Sequence, residues 1–279
     1  MKRQNIISLW TSMAMLALTG VLALQAQNSA PTTTEKQGQL GKVQPAKHYI
    51  SQDLKSQSGE KLGKVEDFIV DLESGRILYA IVNASGSSRG VPVELIKPAA
   101  DQNSLTVSSD KQHVDNAPAV PKGDAAQLSS AALAGSIAKY FNQTTWYQQG
   151  NNAGSEAKDF GNAQRVSQLA NMEVRNSSDD KVGKVEDAVL DLNSGYVTFV
   201  MLDPSQMLGQ ANQKLAVPPN AFTKGSGNFL VTGLDKEILS GAPKFNNNWA
   251  DLSDMSKAGS IYSYYGKQPY WNLSPTGRE

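Results

Sequence analysis

Glu66, Asp67, Asp71 and Glu73 place four carboxylates within eight residues, and Glu186, Asp187 and Asp191 repeat three of them further along the chain. Carboxylates grouped in this way would serve a hydrolase as acid and base, or a hard cation as oxygen ligands. Their spacing suits neither role. On an extended strand, Asp67 and Asp71 share a face but stand about 13 Å apart along it. A calcium loop of the EF-hand kind alternates oxygen ligands around a mid-loop glycine and ends on a distal glutamate, an order missing here. Glu73 becomes Asn193 in the second set. Glu66 and Asp67 are expected to flank a strand, and Asp71 to open a turn where its side chain accepts backbone hydrogen bonds.

Other chemistry has fewer carriers. The chain has no cysteine, which excludes disulfides, thiolate catalysis and cysteine-ligated metals. Its only histidines are His48 and His113. Neither stands beside a nucleophile-elbow pattern, and one histidine at a time is too few for an ordinary histidine-based metal site. Gly63-Lys64 is followed by Val65 and a strand-like run, whereas a phosphate loop needs Ser or Thr there and a helix beyond. Basic and acidic residues balance at 26 each, so no excess of charge favours nucleic acid. No catalytic, cofactor-binding or metal-binding residue is therefore expected.

The elements that carry these residues occur twice. "GEKLGKVEDFIVDLESG" from Gly59 and "DDKVGKVEDAVLDLNSG" from Asp179 agree at 10 of 17 positions. Each phrase leads through a turn, Ser74-Gly75 or Ser194-Gly195, into an apolar run, "RILYAIVNA" or "YVTFVMLD". Glycine closes such a turn because it accepts positive φ. Ile77, Tyr79 and Ile81 face one way and Leu78, Ala80 and Val82 the other, so that strand is expected to be covered on both sides. Gly63 and Gly183 are expected where a side chain would obstruct a close backbone approach. "GVPVELI" then matches "KLAVPPNAF", and "SLTVS" matches "NFLVTG". Asp110 and Asp235 should cap short helices that stop before Ala117-Pro118 and Ala242-Pro243. "GSIAKYFNQTTWY" at 135–147 and "GSIYSYYGKQPYW" at 259–271 extend the match, making the unit a domain of about 100 residues. Tyr140, Phe141, Trp146 and Tyr147 in the first tail, and Trp249, Tyr262, Tyr264, Tyr265, Tyr270 and Trp271 in the second, are expected to pack back on their own repeats. A residue left out of that packing would mark a ligand surface.

The ordered pattern of Gly-Lys-Val-Glu-Asp, a later Asp, Ser-Gly, an apolar strand and a Val-Pro strand resembles the PRC-barrel domain. The resemblance covers about Ile50 to Pro118 and about Ala170 to Pro243. It implies a mainly β fold of two small antiparallel β-barrels, each followed by short helical segments. It also implies barrels that bind partners, with no general set of catalytic residues. The chain then divides into a signal peptide (1–26), a disordered leader (27–47), a first domain with a helical tail (48–147), a flexible linker (148–164), a second domain with an aromatic tail (165–272) and a C-terminal stretch (273–279).

Lys2 and Arg3, an uncharged run from Ile6 to Leu24, and Leu24-Gln25-Ala26 before a polar stretch have the layout of a secretory signal cleaved after Ala26. The rival reading is an uncleaved anchor, since the apolar run is nearly long enough to span. The expected function is a non-enzymatic protein-binding or scaffolding module, periplasmic or secreted in a bacterial envelope. Its partner would be another envelope protein, engaged bivalently by two tethered barrels. The alternative is an envelope enzyme or a small-ligand or glycan carrier, which would need a concave pocket with convergent carboxylates.

Overall fold

A computed structural model describes residues 40–122, 125–144, 160–204 and 213–272. The signal-like segment, residues 27–39 of the expected leader, most of the expected linker, Trp146, Tyr147 and the C-terminal stretch lie outside the described residues.

The first repeat comprises β1 (Gln44–Pro45), α1 (Ala46–Tyr49), β2 (Asp53–Ser56), β3 (Lys61–Asp71), β4 (Arg76–Ala84), β5 (Ser87–Val91), β6 (Ile96–Pro98), β7 (Ser104–Val107), α2 (Lys111–Asp115), α3 (Ala125–Leu128) and α4 (Ala131–Tyr140). The second comprises β8 (Ala163–Arg165), α5 (Val166–Leu169), β9 (Glu173–Arg175), β10 (Lys181–Asp191), β11 (Tyr196–Pro204), β12 (Lys214–Val217), β13 (Phe222–Lys224), β14 (Phe229–Thr232), α6 (Lys236–Gly241), β15 (Lys244–Phe245), α7 (Trp249–Ser253) and α8 (Met255–Tyr264). The protein is mainly β.

The two long hairpins are copies in register. β3 pairs with β4, and β10 with β11, with every partner displaced by 120 residues, as in Asp67↔Ile81 and Asp187↔Met201. Each ladder carries two bulges, one of which leaves Glu66 or Glu186 without a partner. An extra residue on one strand re-aims the side chains beside it. β4 is the covered strand expected from its two apolar faces: Ile77, Tyr79, Ala80, Ile81 and Val82 are all buried. Gly63 approaches its neighbour so closely that a Cβ would lie 2.3 Å from the Asn83 carbonyl oxygen, and Gly183 repeats this at 2.5 Å from that of Asp203. Asp110 and Asp235 cap α2 and α6 by accepting from the amides of His113 and Ile238.

Three expectations differ from the structure. The mainly β fold is present, but hydrogen bonds do not close its sheet into two antiparallel barrels. One open path runs β13-β14-β9-β10-β11-β4-β3-β2-β7-β6 through both repeats, and β2–β7 and β9–β14 are parallel pairs. Within each repeat the chain passes from β5 to β6, or from β12 to β13, through one 3₁₀ turn at Val93–Leu95 or Pro219–Ala221. Pro92, Pro218 and Pro219 stand at these corners, and proline has no N–H to extend a ladder.

The second correction concerns the leader. Its last residues are ordered: Val43 and Ala46 are buried, β1 pairs with β10, and α1 follows directly. The third concerns the linker and the separateness of the domains. Residues 160–164 are built in: the Phe160 amide donates to the Ser129 carbonyl at 3.0 Å, and β8 pairs with β3. Each repeat therefore lends its first strand to the other repeat's long strand. The exchange is symmetric in register, Pro45↔Val189 and Arg165↔Ile69.

The two hairpin turns also meet. The Ile77 amide donates to the Gly195 carbonyl at 2.9 Å, and the Val197 amide to that of Gly75 at 2.8 Å. Gly75 and Gly195 hold φ of 67° and 76°, the left-handed region that glycine enters without strain. A shared apolar core includes Phe68, Val70 and Ile81 from one repeat with Val166, Val185 and Val200 from the other. Gly38–Glu279 is accordingly one compact unit, and the two repeats are not tethered modules.

Candidate functional site

The repeated carboxylates are drawn into the architecture, and Glu66 and Asp67, expected to flank a strand, lie inside β3. Asp67 is buried and accepts from the amides of Phe68 at 2.9 Å and Ser167 at 3.1 Å, and from the Ser167 hydroxyl. The Arg165 guanidinium lies 3.6 Å away. Ser167 is the second residue of α5, so Asp67 holds the start of a helix that belongs to the other repeat. Asp187 stands opposite α1 in the same way but is held more loosely. It accepts from the Ala188 amide at 2.8 Å, while its second oxygen has only the Lys47 ammonium, 3.8 Å away, and no hydrogen-bond partner. Burial raises the Asp187 pKa above the ordinary carboxylate value, and the amides and Lys47 offset this only in part.

Asp71 opens its turn as expected, accepting from the Ser74 amide and hydroxyl. Asp191 accepts from the Asn193 amide at 3.0 Å and the Tyr270 hydroxyl at 3.0 Å. Glu73 lies at the surface, 3.5 Å from the Asn162 amide nitrogen. Asp67 and Asp71 do not converge, and among the described residues no three potential metal ligands come together. His113 stacks on Tyr140 at 4.5 Å and meets the Phe141 ring edge-on; His48 packs at 5.2 Å against Tyr49. The described tail aromatics are largely absorbed too. The Tyr262 hydroxyl donates to the Thr198 carbonyl at 2.8 Å, that of Tyr140 to the His113 carbonyl at 3.0 Å, and Tyr270 stacks on Tyr196 at 4.2 Å. Tyr264 is the exposed exception, with its hydroxyl on the Ile238 carbonyl.

What remains open is a groove of about 920 Å³ in the first repeat. Its floor is β3 from Lys61 to Asp67; Asn83, Ser85, Ser88 and Lys111 form one side, and Arg165 and Ser167 of the exchanged segment close one end. The bulge turns Glu66 into it, where Asn83 and Ser88 donate to its two oxygens at 2.9 and 2.6 Å. Among the described residues no aromatic side chain lines it. The equivalent place in the second repeat is a smaller recess of about 350 Å³. There Glu186 is occupied by the Lys214 ammonium, with that of Lys47 at 4.0 Å.

Sequence reasoning anticipated the glycines, the turn aspartates and the caps. It missed Lys111, which α2 of the same repeat carries to the groove, and Arg165 and Ser167, which only the strand exchange brings to β3. It also missed Ser88, which sits in the letters Gly-x-Ser-x-Gly at Gly86 to Gly90. That spelling marks a nucleophile only at a strand-to-helix turn. Here it runs from a hairpin turn into β5, with no described histidine lining the groove.

No curated protein matches the chain. The PRC-barrel domain profile matches residues 50–114 and 161–238, which together make up half the chain. Each match contains one long bulged hairpin and its turn aspartate, so the chain belongs to the PRC-barrel domain family, with two copies in tandem.

Proposed function

We propose that this protein is a non-enzymatic binding or scaffolding module, exported to the bacterial envelope and engaging another envelope protein. The observation that carries the reading is the contrast between the two repeats. The first repeat's Glu66 and Asp67 are held by internal donors, and among the described residues the groove beside them, about 920 Å³, is larger than the recess of about 350 Å³ at the same place in the second repeat. The charge and length pattern of residues 1–26 supports export. No described helix is long and apolar enough to cross a membrane. We also read each repeat as a barrel, closed covalently at its proline corner rather than by a ladder.

A carboxylate-using enzyme is less well supported, because Glu66 and Asp67 are already engaged. A glycan carrier is less well supported because sugars stack on aromatic rings, and none of the described residues lining the groove is aromatic.

A photo-activated crosslinking side chain at Ser85, on the groove rim, tests the reading in the full chain within cells. It should trap one other envelope protein, and N-terminal sequencing should begin at Gln27. Finding no protein adduct in the envelope would overturn the binding assignment.

A further inference from the structure

The groove's chemistry specifies its occupant more narrowly, on the reading that it is a binding site. Five cationic side chains line it, Lys61, Lys64, Lys111, Lys122 and Arg165, against two acids, Glu66 and Asp67. The acids have little left to offer a ligand. Asp67 holds Ser167, Phe68 and Arg165, and Glu66 holds Asn83 and Ser88. The cations have more to offer. Lys61 and Lys64 share one oxygen of Asp53, at 2.8 and 3.1 Å, and their side chains are 53% and 56% exposed. Lys111 pairs with Asp115 and the Ser85 hydroxyl at the rim. An ammonium has three N–H donors, and exposed pairs of this kind are held by about 1 kcal/mol or less. An incoming anion can therefore share or displace the carboxylates.

Shape narrows the class. Seven consecutive residues of β3 line the floor, which at the rise of a strand makes a groove about 20 Å long. That length fits an extended peptide of about six residues. The cations fall into separate groups, Lys61 with Lys64 around Asp53 and Lys111 beside Asp115, so they do not converge on one point as a single phosphate would require. Asn83, Ser51, Ser85 and Ser88 add neutral donors and acceptors for a peptide backbone.

The second repeat shows what the first has lost. In the aligned ladders Ser88 stands where the second repeat has Lys214, and Ser167 where the first leader has Lys47. In the second repeat the Lys214 ammonium lies on Glu186, with that of Lys47 at 4.0 Å, beside a smaller recess. Two serines in their place put short neutral side chains beside Glu66 and Asp67 and go with the larger groove of the first repeat.

We propose that this groove binds an extended acidic segment of a partner protein, its carboxylates seated on Lys61, Lys64 and Lys111. The test uses the mature full-length chain and a fluorescent peptide of about eight residues, alternating Glu and Ser, with a Gln-for-Glu peptide as control. Fluorescence anisotropy is read at about 50 mM and about 500 mM salt. The expected result is salt-sensitive binding of the Glu peptide, at least about tenfold tighter than the Gln peptide. K61E/K64E/K111E should weaken it at least about tenfold, while K181E/K184E in the second repeat changes it less than about twofold. Thermal melts establish that the variants fold; the milder K61Q/K111Q serves if the triple reversal does not. No binding by the wild type at about 1 mM, equal binding of both peptides, or equal loss in both variants would overturn the inference. So would tighter binding of an inorganic polyphosphate of matched charge. A crosslinked partner at Ser85 together with any of these results would remove the acidic segment and leave the binding module standing.

Discussion

Asp67 and Asp187 face the first turns of helices that belong, in sequence, to opposite repeats. A carboxylate at such a place satisfies amides that have no partner within the helix. This is the physical use of the repeated Glu-Asp: the second residue fastens the repeats together, and the first is the bulge residue beside it. Asp67→Ala would strand the Ser167 and Phe68 amides and the Arg165 charge in a buried place. The expected cost is about 3 kcal/mol, read as a fall in the urea midpoint with little change in slope. Asp187 predicts a pH effect of defined sign. Its pKa is raised in the folded state by burial, so ionisation costs stability as pH rises through the folded value, and protonation relieves that cost. Asp187→Asn keeps an oxygen for the Ala188 amide and cannot ionise. Its melting temperature relative to the wild type should therefore be more favourable at neutral pH than near the ordinary carboxylate pKa of 3.8. A difference that does not vary with pH would contradict this.

The long hairpins show why particular elements tolerate so little change. Their two bulges bend the strand, turn Glu66 or Glu186 outward and keep the adjacent aspartate buried. Gly63 and Gly183 sit where the bent strand crosses close over a neighbouring carbonyl. Gly63→Ala should cost about 1–3 kcal/mol, because the atom in the way is backbone and cannot rotate aside. Gly161→Ala, with nothing within 4 Å of the added carbon, should change stability by less than about 0.5 kcal/mol. Thermal or urea melts of the two variants side by side check the contrast. At this scale much was legible. The turn aspartates, the caps at Asp110 and Asp235 and the covered strand after Gly75 all rest on local rules of spacing and hydrogen bonding. The bulges were not legible, because an extra residue shows only against the partner strand.

The described residues form one folded body built from two copies. β1 with α1, and β8 with α5, each cover the other repeat's long strand, so either half alone would expose a strand edge and part of the shared core. Spans 40–144 and 160–272 produced separately should each bind a hydrophobic dye and self-associate. Mixed in equal amounts, they should recover the near-ultraviolet circular dichroism of the intact chain and elute as a single pair. Two independently folded monomers would contradict the exchange. The sequence by itself determined the doubling, the order of the main strands and turns, the family, and the turn role of Asp71 and Asp191, because these depend on neighbours a few residues apart. Only the tertiary structure decided that the leader's end and the linker's end are structural, that the repeats interlock, and that Lys111 and Arg165 share a groove with Lys61. Such juxtapositions join residues from tens to more than a hundred positions apart, through pairings that leave no periodic mark in the chain.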